Sequence, residues 1–112
     1  MTARLRLSRA QRLGAAEVAA ALSAGRLTRG PRLSLYRLPN SLAYSRLALV
    51  VPKRLAPKAV TRNRLRRLAR EAFRVQQRRI AASDCVVRLV SASVDPPVTR
   101  AEVEALFLQG AR

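Results

Sequence analysis

The sequence predicts an α+β fold: a small α-β sandwich with one small sheet, in the order α-β-β-α-β-α. Three observations carry this. Two stretches, 59–80 and 99–110, repeat apolar residues at helical spacing, and a shorter alanine-rich stretch precedes them. Three short apolar runs, 33–38, 46–51 and 84–91, are bounded by Gly, Pro, Asn or Asp, as strands are. The length of 112 residues with 49% hydrophobic content suits one domain, 1–112, with a single modest core. Aromatics are only 4%, so Leu, Val and Ala must build that core.

In chain order, residues 1–12 read as a mobile basic arm. Gly14 to Ala24 reads as a helix, with Glu17 well placed near its positive end and Gly25 as a left-handed stop. Val18, Ala21 and Leu22 fall on one side of it. Glu17 and the many alanines leave no continuous apolar segment, so this is not a signal peptide. Gly30-Pro31 and Pro39-Asn40-Ser41 bracket the strand "LSLYRL". Alternation sets Ser34, Tyr36 and Leu38 on one face and Leu33, Leu35 and Arg37 on the other, and the Leu33/Leu35 face should cover the helices. "RLALVV" follows as a second, more buried strand that Pro52 ends, and the short link 39–45 suits an antiparallel pair of the two. A short extra strand at Leu27 to Arg29 is weakly signalled. Pro57 suits the first turn of the next helix, whose packing stripe is Leu65, Leu68, Ala69, Ala72, Phe73 and Ile80. "DCVVRLVS" is the third strand, broken by Asp95-Pro96-Pro97. Thr99 and Glu102 form a capping box for a last helix packing Val103, Leu106 and Phe107 and ending near Gly110.

Charge speaks to partners. The chain carries 23 Lys+Arg against 6 Asp+Glu, net +17, and only Lys53 and Lys58 are lysines. Guanidinium forks onto phosphate and stacks on bases, so a nucleic acid is the expected partner, ahead of an anionic membrane or a compositional bias toward arginine. "AVTRNRLRRLAREAFR", 59–74, shows how this charge is used. Leu65, Leu68, Ala69, Ala72 and Phe73 lie within roughly 140° of the helix, while Arg64, Arg66, Arg67, Arg70 and Arg74 lie on the other side. Glu71 alone cannot neutralise them. An ordinary solvated face mixes both signs; this one reads as a phosphate-binding ridge. From 53 to 79 there are eleven basic residues and one acid.

Other chemistry is thinly provided. Histidine is absent and Cys85 is the lone thiol, which excludes an intramolecular disulfide and a zinc site of the usual ligands. No apolar run is long enough for a membrane helix. No nucleophile–base arrangement could cleave a phosphodiester unaided. Phe73, Phe107 and Cys85 read as core, Tyr44 as a loop anchor, and Tyr36 as either a half-buried sheet residue or a stacking platform.

The stretch "VVPKRLAPKAVTRNRLRRLAREAFR" resembles the signature of the bacterial ribonuclease P protein subunit: a strand, a basic pair (Lys53-Arg54), a turn, then a helix opening on Arg62-Asn63-Arg64. The resemblance implies an α-β sandwich with a left-handed βαβ crossover that assists a catalytic RNA in removing the 5′ leader from precursor tRNA in the cytoplasm. It implies no cofactor in the protein, magnesium held with the RNA subunit, and no obligate protein partner. It places Lys53, Arg54, Arg62, Asn63, Arg64, Arg66, Arg67 and Arg70 toward the catalytic RNA. Tyr36, Val18 and Leu22 fall at leader-binding positions, although the family's first helix carries phenylalanines where Val18 and Leu22 stand. The turn before the arginine-rich helix departs too, with Ala56-Pro57 in place of Gly and Asn. A structural RNA-binding protein, such as a small ribosomal component, is the alternative.

Overall fold

A strand covered on both faces along most of its length organises the molecule. The computed structural model describes residues 11–92 and 96–110. In it α1 (Ala15–Ala24) is followed by β1 (Arg26–Arg29), β2 (Leu33–Pro39), β3 (Arg46–Val50), α2 (Ala59–Gln76), β4 (Ser83–Leu89) and α3 (Arg100–Gly110). The sheet order is β1-β2-β4-β3, with β4 antiparallel to β2 and parallel to β3.

The expected β2–β3 pair does not form; β4 lies between them. Cys85, Val86 and Val87 are all fully buried, so this strand is covered on both faces and must be central. β3, α2 and β4 thus make a parallel crossover between neighbouring strands. The weakly signalled extra strand is β1, pairing Arg26–Arg29 with Ser34–Arg37. Its charged, exposed ends suit a sheet edge and blur its apolar pattern.

The register sorts side chains by face. Leu33, Leu35, Leu47, Cys85, Val87 and Leu89 join the core with Leu65, Ala69, Ala72 and Phe73 of α2 and Val103, Leu106 and Phe107 of α3. Phe73 and Phe107 meet with ring centroids 6.1 Å apart. Leu68 packs only partly against this core, and Ile80 lies beyond α2, after a single 3-10 turn at Gln77–Arg79.

The other sheet face belongs to α1. Ala21 and Val86 are fully buried yet lie outside the main core, and α1 packs against β2 and β4. Its approach is fixed at both ends. Arg12 bridges Leu47 of β3, and at the far end Gly25 comes against the Arg37 backbone of β2. Ten residues of helix rise about 15 Å, the width of three strand spacings, so α1 crosses the sheet rather than following a strand. Gly25 is extended (φ −73°), not left-handed. Glycine is required there because a β-carbon would strike the Ala21 carbonyl. Glu17 caps the helix start by accepting from the Gly14 N–H at 2.8 Å.

The remaining boundaries shift by small amounts. α2 begins at Ala59 with Lys58 as its cap, so Pro57 belongs to the preceding turn. β4 stops at Leu89. Thr99 does cap α3, accepting from the Glu102 N–H at 3.2 Å, but the Glu102 carboxylate turns to Arg32 instead of completing the box. Of the basic arm, residues 1–10 lie outside the described residues. Gln11 and Arg12 are tied to β3, with Gln11 Nε2 donating to Ser45 O and to Gln77 Oε1.

Candidate nucleic-acid interface

On α2 the sequence pattern becomes a physical sorting. Leu65, Ala69, Ala72 and Phe73 are buried, while Asn63, Arg64, Arg67 and Arg70 are exposed and Arg66 and Arg74 are half-buried. Among the described residues the three ion pairs join Arg32 to Glu102, Arg46 to Asp84 and Arg100 to Glu104. None uses an arginine of α2. No carboxylate among the described residues forms an ion pair with the ridge.

The ridge is not one uniform strip. Arg66 and Arg70, with Arg12, line a concavity of about 250 Å³ at the outer edge of β3, floored by Leu13, Leu47, Ala48 and Leu49. Arg64 stands apart, beside a recess with Val60, Thr61, Leu65, Pro97 and Val98. Arg67 lies exposed between them. Asn63 orients a neighbour, its Oδ1 accepting from Arg66 Nη1 at 3.3 Å. Arg62 points back, donating to the carbonyls of Ala56 at 3.0 Å and Pro57 at 2.8 Å. It closes the turn that leads into α2. That turn is also held by the Leu55 and Ala56 N–H groups donating to Pro52 O, and it presents Lys53 and Arg54 to solvent.

The second surface is the α1 side of the sheet. Tyr36 lies there with Ser34 and Leu38, opposite the core face, as alternation predicts. Tyr36, Val18 and Leu22 are all half-buried. Beneath the start of α1, Arg46 grips Asp84 with two hydrogen bonds of 2.8 Å, and Asn40 Nδ2 donates to the same carboxylate at 2.8 Å. Burial alone would push the Asp84 carboxyl up. The hydrogen bonds from Arg46 and Asn40, with the Arg46 charge, outweigh it and hold the group below the ordinary carboxylate value. Arg46 is raised in turn, chiefly by its hydrogen bond to Asp84. Cys85, on the core face, has its thiol pushed up to about 12 by burial. It is a small apolar filler.

Sequence reasoning missed two basic residues that the fold brings to these surfaces. Arg12 joins Arg66 and Arg70 only because residues 12 and 13 run along the edge of β3. Arg88 reaches the Tyr36 face; alternation in "DCVVRLVS" sets it with Val86, but only the β2–β4 register says which face that is. Among the described residues no three His, Cys, Asp or Glu side chains are grouped to hold a metal, and no helix is long and apolar enough to cross a membrane.

The Ribonuclease P family model aligns with residues 7–109, nearly the whole chain. The chain belongs to the ribonuclease P protein family. The ribonuclease P protein component of Bordetella parapertussis is 43% identical over 107 residues, covering 86% of this chain and 87% of its own. That of Azoarcus sp. is 43% identical over 81 residues, 72% of this chain and 63% of its own. Among solved structures, an RNase P protein from Staphylococcus aureus superposes with a TM-score of 0.74 at 27% identity, covering 92% of this chain and 86% of that one. The Thermotoga maritima RNase P protein gives 0.74 at 26% identity, covering 89% and 94%. Ribonuclease P is the ribonucleoprotein endoribonuclease of tRNA processing, and this chain is its protein component.

Proposed function

We propose that the chain binds the catalytic RNA of ribonuclease P through Arg66, Arg67 and Arg70, with Lys53, Arg54, Asn63 and Arg64 alongside, and receives the 5′ leader of precursor tRNA on the open sheet face beside α1. The observation that carries this is the α2 ridge, whose arginines take no part in the ion pairs among the described residues. Arg62 serves the same surface indirectly, by fixing the turn that presents Lys53 and Arg54. Tyr36, Val18 and Leu22 border the leader's groove.

The chain's contribution is placement and charge. Guanidinium groups repel a divalent cation, so the magnesium that serves hydrolysis belongs on RNA phosphates rather than on this surface. The protein then lowers the repulsion between two RNAs and thereby the magnesium needed to hold them together. The working place is the cytoplasm, and the partners are the two RNAs, with no further protein required.

The test is rescue. A catalytic RNA that cleaves precursor tRNA poorly at low magnesium should regain cleavage when this protein is added. A structural ribosomal protein of equal charge should not restore it. If this chain does no better than such a control, the reading fails.

A further inference from the structure

Two adjacent rows of side chains on the open sheet face differ in chemistry. The register aligns Leu27, Tyr36, Val86 and Ala48 across the four strands. Two residues further along come Arg29, Ser34, Arg88 and Val50. The first row is apolar with one aromatic ring. The second carries two guanidinium groups. The rows are roughly 7 Å apart, two residues of strand rise. That separation is comparable to the distance from a base to its own phosphate.

α1 settles which row is open. It is anchored near Leu47 and Arg37, between the row of Asp84 and the row of Val86, and it packs on β4 and β2 there. The Arg88 row therefore lies beyond Tyr36, on the side away from α1. Arg88 is half-buried and Arg29 is exposed, while Ser34 between them is buried, so this row is accessible at its two guanidinium groups rather than at its floor. Among the described residues no carboxylate pairs with Arg88; the ion-paired arginines are Arg32, Arg46 and Arg100. A partly desolvated cation without a counter-charge favours an incoming anion. Just past Val50 the chain turns to Lys53 and Arg54, so the row continues toward the α2 ridge.

We propose that Arg88 holds a backbone phosphate of the precursor's leader, with the leader lying across the strands, its phosphates on the Arg88–Arg29 row and its bases toward Tyr36 and α1. This rests on the reading of the open face as the leader's groove and adds the direction and the mode of binding. Val18 and Leu22 offer no π-face, so Tyr36 is the only stacking partner among these wall residues. Charge then carries the larger share, and leader recognition in this chain is indifferent to base identity and sensitive to salt.

The experiment uses the assembled holoenzyme, with binding of leader-bearing precursor and of mature tRNA measured over a range of salt. Arg88→Ala should weaken precursor binding several-fold, leave mature tRNA unchanged, and lower the log–log salt slope for the precursor by about 0.7. Arg88→Lys should keep most of that slope. A leader with uncharged methylphosphonate linkages should bind wild-type protein at least as weakly as the natural leader binds Arg88→Ala, which tests the idea without any mutation. An unchanged slope in folded Arg88→Ala, equal losses for both RNAs, or full affinity for the uncharged leader would overturn the assignment. Low-magnesium rescue by the same Arg88→Ala protein keeps the two readings separable: rescue with no precursor effect removes Arg88 alone.

Discussion

Replacing Arg66, Arg67 and Arg70 together by alanine separates binding from folding. Arg67 and Arg70 are exposed, Arg66 is half-buried at the rim of a concavity, and none is in an ion pair. The fold should survive. Removing the like-charged Arg66/Arg70 pair, four residues apart, should even favour the helix by about 0.2–0.5 kcal/mol. Affinity should move the other way. If each arginine neutralises one phosphate, the log–log salt slope for the catalytic RNA falls by about 2.1–2.7. Between about 50 and about 200 mM salt, the advantage of wild type over the variant then shrinks roughly 20- to 40-fold. Titration of labelled catalytic RNA at several salt concentrations, with thermal melts of each protein, reads both quantities. Arg62→Ala is the contrasting control. Its guanidinium bonds the Ala56 and Pro57 carbonyls, so its loss should cost about 1.5–3 kcal/mol of stability and change the salt slope little. A folded triple variant with the wild-type slope would show that the ridge does not meet phosphate.

Core and electrostatic perturbations should follow burial. Leu65→Ala should cost about 2–5 kcal/mol, and half-buried Leu68→Ala distinctly less; equal losses in urea denaturation would mean α2 is rotated from the orientation described. Because Asp84 titrates below its unfolded value, its pairing stabilises the fold above the ordinary carboxylate pKa of about 4 and is lost as pH falls through the lower folded value. The stability gap between wild type and Asp84→Asn should therefore be full near neutrality and close in acid, and a gap independent of pH would refute the pairing. Cys85 is fully buried with its thiol raised to about 12, so a thiol reagent should label it only as fast as the protein unfolds.

What the chain announces locally is the kind of element and the face it buries. The stripe Leu65, Ala69, Ala72 and Phe73 and the arginines opposite it were legible because a helix repeats every 3.6 residues whatever surrounds it. Alternation likewise put Leu33 and Leu35 on the core side and Tyr36 on the other. The family signature was readable because Lys53-Arg54 and Arg62-Asn63-Arg64 are contiguous in sequence. Strand order was not legible, because backbone hydrogen bonds are the same for every residue and any two strands can exchange them. The short 39–45 link suggested a hairpin, yet β4, buried on both faces, took the place between β2 and β3. That one decision of the tertiary structure carried Arg88 to the face of Tyr36, ran residues 12 and 13 along β3 so that Arg12 met Arg66 and Arg70, and left the sheet face beyond α1 open. Side-chain periodicity records which way a residue points; which residues it meets depends on where the two-sided burial of a central strand costs least.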